Sequence, residues 1–215
     1  MTRLLSSALL VIGFHASAFA GVLTLEKGPT AVENVNVAKS ATIGFNGKTE
    51  TLENIGAGLR AKKVLGMSVK VYVGQLLISA PTKFSRDPKK ALSSLDGSDV
   101  VAMQLTFLRD VEADKVQVSL RDALVANKVD LKKPEIKALL AAVVQGGEAK
   151  SGKALVFVTK KYADGSEVLV YEANGGKAVT IKGEKGFTQS VFSMWLGVPA
   201  DEGTAALKER VVKGN

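Results

Sequence analysis

Two segments on either side of a glycine constrain the fold most strongly, because together they predict a β-hairpin with a defined register. Residues 69–77 alternate valine with other residue types, which is typical of a strand. Residues 59–64 alternate less regularly. Gly66 lies between the two segments, and glycine is a typical turn residue. The pattern therefore predicts two antiparallel strands joined at a turn centred on Gly66.

This register brings an arginine and a tyrosine together. Centring on Gly66 places Arg60 opposite Tyr72 and Lys62 opposite Lys70. Side chains directly opposite each other have Cβ atoms about 4.5–5.5 Å apart on one face. A guanidinium beside a phenol offers a planar set of N–H donors and a hydroxyl, which suits a carboxylate. The alternative is that this face is only the solvated side of a half-buried sheet.

The first 20 residues have the pattern of a secretory signal peptide. Arg3 gives a positive start, residues 4–14 form a short apolar core, and residues 18–20 read Ala-Phe-Ala. A membrane-spanning helix needs about 20 apolar residues, and this apolar core is shorter than that. We therefore predict cleavage after Ala20, a single mature domain of residues 21–215, and a periplasmic or secreted location.

The composition of the mature chain excludes several kinds of chemistry. The chain has no cysteine, and its one histidine, His15, lies in the predicted signal peptide. Ser-His-Asp and Cys-His catalysis and the usual zinc, haem and iron–sulfur sites all need imidazole or thiolate groups. We therefore predict no metal and no cofactor. The net charge of +8 is dispersed and has no basic block with interleaved aromatics, so nucleic-acid binding is not expected.

The order of strand and helix patterns predicts an α+β domain, with an antiparallel sheet backed by a helical layer. Strand patterns cover residues 22–25, 41–45, 100–107, 154–160, 167–171 and 178–182 in addition to the hairpin. Helix patterns cover a short segment from Pro88 capped by Asp87, and residues 112–127, 134–144, 187–196 and 202–212. Asp201 is the predicted cap of the last helix, and Phe192 and Trp195 are predicted core residues.

Residues 53–77 and 187–197 resemble the chalcone isomerase family. The segment Gly56-Ala57-Gly58-Leu59-Arg60 is similar to the Gly-Ala-Gly-x-Arg segment of that family, and the C-terminal stretch resembles its final helices. The likeness in character runs over about residues 54–212 and is strongest to exported bacterial chalcone-isomerase-like proteins. It implies an open-faced sandwich with a ligand cleft between sheet and helices.

The resemblance implies that most of the catalytic set of a true chalcone isomerase is replaced. Arg60 matches the catalytic arginine, whose role is to stabilise an anionic oxygen. A family threonine is replaced by Tyr72. In an ungapped alignment the family's tyrosine, lysine and asparagine correspond to Asp114, Gln117 and Arg121. Chalcone isomerase activity is therefore not expected.

The leading interpretation is a non-catalytic protein that binds a small amphipathic carboxylate such as a fatty acid. In the fatty-acid-binding branch of the family an arginine and a tyrosine hold the carboxylate, and Arg60 and Tyr72 match that pair. A buried arginine also needs an anion or several acceptors to offset its desolvation. We expect the apolar tail to contact Leu76, Met103, Leu105, Leu120 and Leu124.

Two alternatives remain open from the sequence. In the first, the protein is structural or binds a protein partner, and Arg60 forms an internal salt bridge with Glu53, Glu112 or Asp114. In the second, it is an intramolecular lyase or isomerase that uses Arg60, Tyr72 and a lysine on an unknown substrate. An apolar cleft of roughly 300 Å³ or more beside Arg60 favours a binder or an enzyme. A carboxylate packed on the guanidinium favours the structural role.

Overall fold

The computed structural model describes residues 21–214, and within them the chain forms one antiparallel sheet of eight strands in sequence order. The strands are β1 (Thr24–Val32), β2 (Val35–Phe45), β3 (Lys48–Val64), β4 (Met67–Ile78), β5 (Val100–Phe107), β6 (Ala154–Lys161), β7 (Glu167–Ala173) and β8 (Val179–Gly183). The helices are α1 (Ala91–Ser94), α2 (Ala113–Ala126), α3 (Pro134–Gln145), α4 (Phe187–Leu196) and α5 (Glu202–Lys213). The predicted α+β class with an antiparallel sheet is therefore confirmed. The predicted signal peptide, residues 1–20, lies outside the described residues.

The helices form a layer on one face of the sheet. Val116, Leu120 and Leu124 lie at helical spacing on α2 and are buried in the main apolar core. Phe192 and Trp195 of α4 are buried in the same core, as the sequence predicts. The Trp195 ring meets the Phe157 ring of β6 edge-on, with 5.1 Å between the ring centroids. These contacts fix α2 and α4 over the central strands.

The opposite face of the sheet is partly covered by the first hairpin. β2 curls back over β4, and the backbone N–H of Ala38 donates to Gln75 Oε1 at 2.9 Å. Gln75 is buried on this face, where it also accepts a hydrogen bond from Asn54. A second apolar cluster, which includes Leu23 and Leu77, fills the space beneath. The sheet therefore has a core on each side.

Residues 24–45 form more regular structure than the sequence predicts. We expect short strands and loops there, but the chain forms the complete hairpin β1–β2. Its turn, Glu33-Asn34, has positive φ at both residues (51° and 66°). Such a turn matches the twist of paired strands, although it usually contains glycine. The absence of a glycine at this turn explains why the hairpin was missed.

The helix predicted from Pro88 is shorter than expected. α1 begins only at Ala91, and Asp87 Oδ1 accepts the N–H of Lys89 at 2.9 Å. Asp87 therefore stabilises a turn that precedes the helix rather than the first turn of a helix starting at Pro88. The other helices lie within one or two residues of their predicted bounds. None of the helices in residues 21–214 combines the length and apolarity needed to span a bilayer.

Candidate functional site

The β3–β4 hairpin places Arg60 directly opposite Tyr72, as the sequence predicts. The two residues lie on adjacent antiparallel strands, on the face that carries the helices. Arg60 is almost completely buried, with 4% of its surface exposed, and Tyr72 is partly buried. The pair therefore lies at the boundary between the core and a cleft rather than on a freely solvated face.

The predicted register is wrong closer to the turn. Lys62 lies opposite Val69, and Lys70 lies opposite Ala61, so the two lysines do not pair. The reason is that the turn consists of two residues, Leu65 and Gly66, both with positive φ, and is not centred on Gly66. A bulge at Val71 then shifts the register by one residue and restores the predicted partners from Arg60 to Gly56, beyond which a second irregularity at Ile55 shifts the register again.

The glycines of the Gly-Ala-Gly-x-Arg segment allow α5 to lie directly on β3. A Cβ atom on Gly56 would lie 2.3 Å from the backbone oxygen of Val211, and one on Gly58 would lie 2.7 Å from Arg210 Cβ. At the other end of the helix, a Cβ on Gly203 would lie 2.3 Å from Arg60 Nη1. Glycine at these positions therefore permits a backbone approach that brings the start of α5 to the guanidinium.

The buried arginine is held by an aspartate at the start of α5. Arg60 Nη2 donates to Asp201 Oδ2 at 2.5 Å, and Arg60 Nη1 donates to the backbone oxygen of Ala61 at 2.5 Å. The side chain of Arg60 is 5% exposed and that of Asp201 is 41% exposed. The sequence suggested Glu53, Glu112 or Asp114 as the partner of an internal salt bridge.

That prediction is wrong, because Arg60 pairs with Asp201 and not with Glu53, Glu112 or Asp114. Asp201 also caps α5, as predicted, since its Oδ1 accepts the N–H of Thr204 at 2.8 Å and the hydroxyl of Thr204 at 2.9 Å. Burial acts to raise the pKa of Asp201. The hydrogen bonds from Thr204 and the charge of Arg60 outweigh burial, so the pKa is lowered. Asp201 is therefore an anion bound at both oxygens.

Tyr72 connects the arginine to the aromatic core. Its hydroxyl accepts a hydrogen bond from Trp195 Nε1 at 3.3 Å, and its ring packs against Phe107 with centroids 5.4 Å apart. Burial raises the pKa of Tyr72, and the nearby charge of Arg60 opposes this shift. The phenol is therefore neutral at pH 7. Among the hydrogen bonds of the described residues Tyr72 acts only as an acceptor, so its own proton is available to a ligand.

A cleft of about 750 Å³ opens beside this pair, between the ends of β3, β4 and β5 and the exposed start of α2. Its apolar wall includes Val71, Leu105, Phe107, Val116 and Leu120. Charged side chains, including those of Lys62, Arg109, Glu112 and Asp114, surround it. The volume exceeds the roughly 300 Å³ at the lower end of small-molecule pockets.

Two of the five residues predicted to contact an alkyl tail lie in the cleft wall. Leu105 and Leu120 line the cleft. Leu76, Met103 and Leu124 are fully buried in the main core and do not line it. The sequence identifies all five as apolar and inward-facing, but it does not distinguish the closed core from the wall of an adjoining cleft.

Arg109 is a cleft residue that the sequence analysis missed. It follows the end of β5, is exposed, and lines the cleft. The salt bridges within residues 21–214 do not include it. Its guanidinium is thus, together with Lys62, a further cation of the cleft available to an anionic ligand. Its position two residues after an apolar strand that ends at Phe107 was the available signal.

The three helix positions matched to catalytic residues of chalcone isomerases take separate roles here. Asp114 lines the cleft. Gln117 Nε2 donates to the backbone oxygen of Leu140 at 3.1 Å, which commits its side chain to α3. Arg121 is exposed and does not belong to the cleft wall. The cleft therefore lacks, at these positions, the set of donors that the resemblance associates with catalysis.

Comparisons with known proteins agree with this description. A sequence model of the chalcone isomerase-like family matches residues 29–211, so the chain belongs to that family. Among solved structures it is similar to the fatty-acid binding protein AtFAP1 of Arabidopsis thaliana, with a TM-score of 0.51 and 16% sequence identity. That similarity covers 82% of this chain and 91% of the plant chain, and at this identity it shows a shared fold. A search of curated proteins finds no match.

Proposed function

We propose that this chain is a non-catalytic binding protein, periplasmic or secreted, for a small amphipathic carboxylate such as a fatty acid. The observation that carries the proposal is the cleft of about 750 Å³ with Arg60 and Tyr72 in its wall. An apolar wall suits an alkyl tail, and the guanidinium and the phenol suit a carboxylate head. The shared fold with a fatty-acid binding protein is consistent with this function.

The salt bridge to Asp201 determines how a ligand would bind. Asp201 already places one carboxylate on Arg60, so the head group of a ligand competes with it for the same positive charge. Arg60 retains further N–H groups, and Tyr72 retains its hydroxyl proton. A ligand carboxylate would therefore approach from the cleft and weaken the contact between Arg60 and Asp201, while Thr204 continues to hold the other oxygen of Asp201.

The salt bridge also favours a second candidate function, a structural or partner-binding protein without a ligand. In that case Asp201 is the permanent counterion of Arg60, and the pair serves to fasten α5 to β3. The third interpretation, an intramolecular lyase or isomerase, gains no support from the helix positions Gln117 and Arg121.

Thermal unfolding of residues 21–215 with fatty acids and with the matching fatty alcohols distinguishes the two candidates. A ligand at 100 times its dissociation constant stabilises the folded state by about 2.7 kcal/mol, or roughly 5–10 °C for a domain of this size. We expect this shift with acids and a much smaller one with alcohols. Arg60→Met keeps the aliphatic stem and removes the charge, so it should abolish the preference for acids. Equal shifts for acids and alcohols would contradict the proposal.

A further inference from the structure

Glu172 is a buried carboxylate that the cleft does not use. It lies in β7, directly opposite Val156 of β6, and only 5% of its surface is exposed. Val156 belongs to the second apolar cluster, on the sheet face opposite the helices, together with Leu23 and the partly buried Val22. A carboxylate in apolar surroundings requires hydrogen bonds or a cation to offset its desolvation.

The described residues supply only part of that compensation. The backbone N–H of Val22 donates to Glu172 Oε2 at 2.6 Å, which is the one hydrogen bond to this carboxylate within residues 21–214. None of the salt bridges of that range includes Glu172. The other buried acid of β7, Glu167, accepts N–H groups at both oxygens, from Gly186 at 2.9 Å and Thr188 at 2.5 Å. Within residues 21–214, Glu172 Oε1 therefore has no hydrogen-bond donor.

The residue next to that oxygen is Gly21. A Cβ atom on Gly21 would lie 3.1 Å from Glu172 Oε1 and 3.7 Å from Oε2, so the backbone of Gly21 passes directly beside the carboxylate. Gly21 is also the residue that follows Ala20, where the sequence predicts cleavage of the signal peptide. The new amino terminus would thus arise beside the buried acid.

We propose that Glu172 is the binding site for the α-ammonium group that signal cleavage creates on Gly21. A signal peptidase adds water across the Ala20–Gly21 amide, which leaves a carboxylate on Ala20 and an ammonium on Gly21. An α-amino group has an ordinary pKa of about 7.7–8.0, so it is mostly protonated at neutral pH. The uncleaved chain has a neutral amide at this nitrogen, so the ion pair forms only in the processed chain.

The consequence is that processing fastens the start of the chain onto the sheet. The ion pair holds Gly21 and Val22 against β7, and Leu23 is then kept in the second apolar cluster, where it is buried. This inference rests on the predicted cleavage site and is independent of the proposed ligand.

A thermodynamic cycle at pH 7 tests the pair. Three forms are compared: residues 21–215 with a free Gly21, the same chain acetylated at Gly21, and residues 18–215, which retain Ala-Phe-Ala. All the strands and helices described above lie within residues 21–214, so each form contains the complete domain. We expect the free amine to raise the melting temperature by on the order of 4 °C over both blocked forms. In Glu172→Gln this difference should disappear.

Glu167→Gln is the matched control, because it changes a second buried acid of β7, whose carboxylate accepts backbone N–H groups from the start of α4. It should lower the stability of all three forms equally and leave the difference between free and blocked termini intact. A difference that persists in Glu172→Gln, or that is absent in the unsubstituted chain, overturns the proposal.

A measurement on the unsubstituted chain covers the case in which Glu172→Gln does not fold. NMR titration of ¹⁵N-labelled Gly21 should show that the α-ammonium of the folded chain loses its proton at a higher pH than in urea, because the carboxylate stabilises the charged form. Equal titration in the folded and unfolded chain also overturns the proposal.

Discussion

Replacing Asp201 by asparagine tests the site most directly, because it removes the charge and keeps the helix cap. Asparagine is as good an N-cap as aspartate, so the bond from the N–H of Thr204 should remain. Losing one partner of a fully buried ion pair costs about 3–5 kcal/mol, whereas exposed pairs contribute about 0–1 kcal/mol. The 41% exposure of Asp201 places this pair between those cases, at about 1–2 kcal/mol. The melting temperature should therefore fall by roughly 2–8 °C.

The effect of Asp201→Asn on binding should have the opposite sign. The variant leaves Arg60 without the carboxylate that competes with a ligand, so a fatty acid should bind more tightly, by on the order of tenfold. The matching alcohol should bind unchanged, because it carries no charge. Titration calorimetry with both ligands measures the two affinities. Arg60→Met is the control, and in it the acid and the alcohol should bind alike.

The result that would refute this reasoning is a destabilised Asp201→Asn protein whose affinity for acids is unchanged or lower. Arg60 would then be a structural residue, and the second candidate function would be preferred.

The pH dependence provides an independent check on the pair. The pKa of Asp201 is lowered in the folded state, so its contribution to stability is present above the ordinary aspartate range and is lost as the pH falls through the lowered value. The difference in stability between the wild type and Asp201→Asn should therefore shrink in acid.

Three further substitutions test the remaining parts of the site and the hairpin that positions it. Tyr72→Phe should weaken acid binding by about 1.5–3 kcal/mol, the scale of a hydrogen bond to a charged group, and should leave alcohol binding nearly unchanged in the same calorimetric assay. Gly58→Ala should destabilise the fold by about 1–3 kcal/mol in urea, since its Cβ would lie 2.7 Å from Arg210 Cβ and force α5 away from β3. Leu65→Asn should stabilise the fold by up to about 1 kcal/mol, because asparagine tolerates the φ of 50° that leucine adopts there, and a loss of stability would show that exposed Leu65 makes a contact of its own.

The hairpin illustrates what a sequence pattern can predict and what it cannot. The alternation over residues 69–77 gave the strand, and Gly66 gave the approximate place of the turn. The pairing of Arg60 with Tyr72 was correct only because two differences cancel: the turn lies half a residue away from the predicted centre, and the bulge at Val71 shifts the strand back. The side chain of Val71 does not mark it as a bulge residue, so the periodicity of the sequence alone could not reveal the bulge.

The partner of Arg60 was missed for a different reason. Asp201 is separated from Arg60 by 141 residues, and its local sequence explains it fully as a helix cap. The cap uses only one oxygen of Asp201, and the local sequence carries no signal for the contact of the other oxygen with Arg60. The clue was Gly203: a glycine within the first turn of a helix lowers helix propensity and is present because the backbone of β3 lies against it.

For the proposed carboxylate ligand, Asp201 also implies a limit on which acids would bind. Its carboxylate belongs to the same chain and is held beside Arg60 by the fold. A free acid therefore competes with an internal anion that loses no translational or rotational entropy on binding. A small acid such as acetate gains little beyond the charge interaction and should not compete effectively. An alkyl chain adds about 0.8 kcal/mol for each methylene that it buries, and the cleft of about 750 Å³ beside Val71, Phe107 and Leu120 has room for several. Selectivity among acids would therefore come from the tail, whereas Arg60 and Tyr72 would determine the preference for an acid over an alcohol.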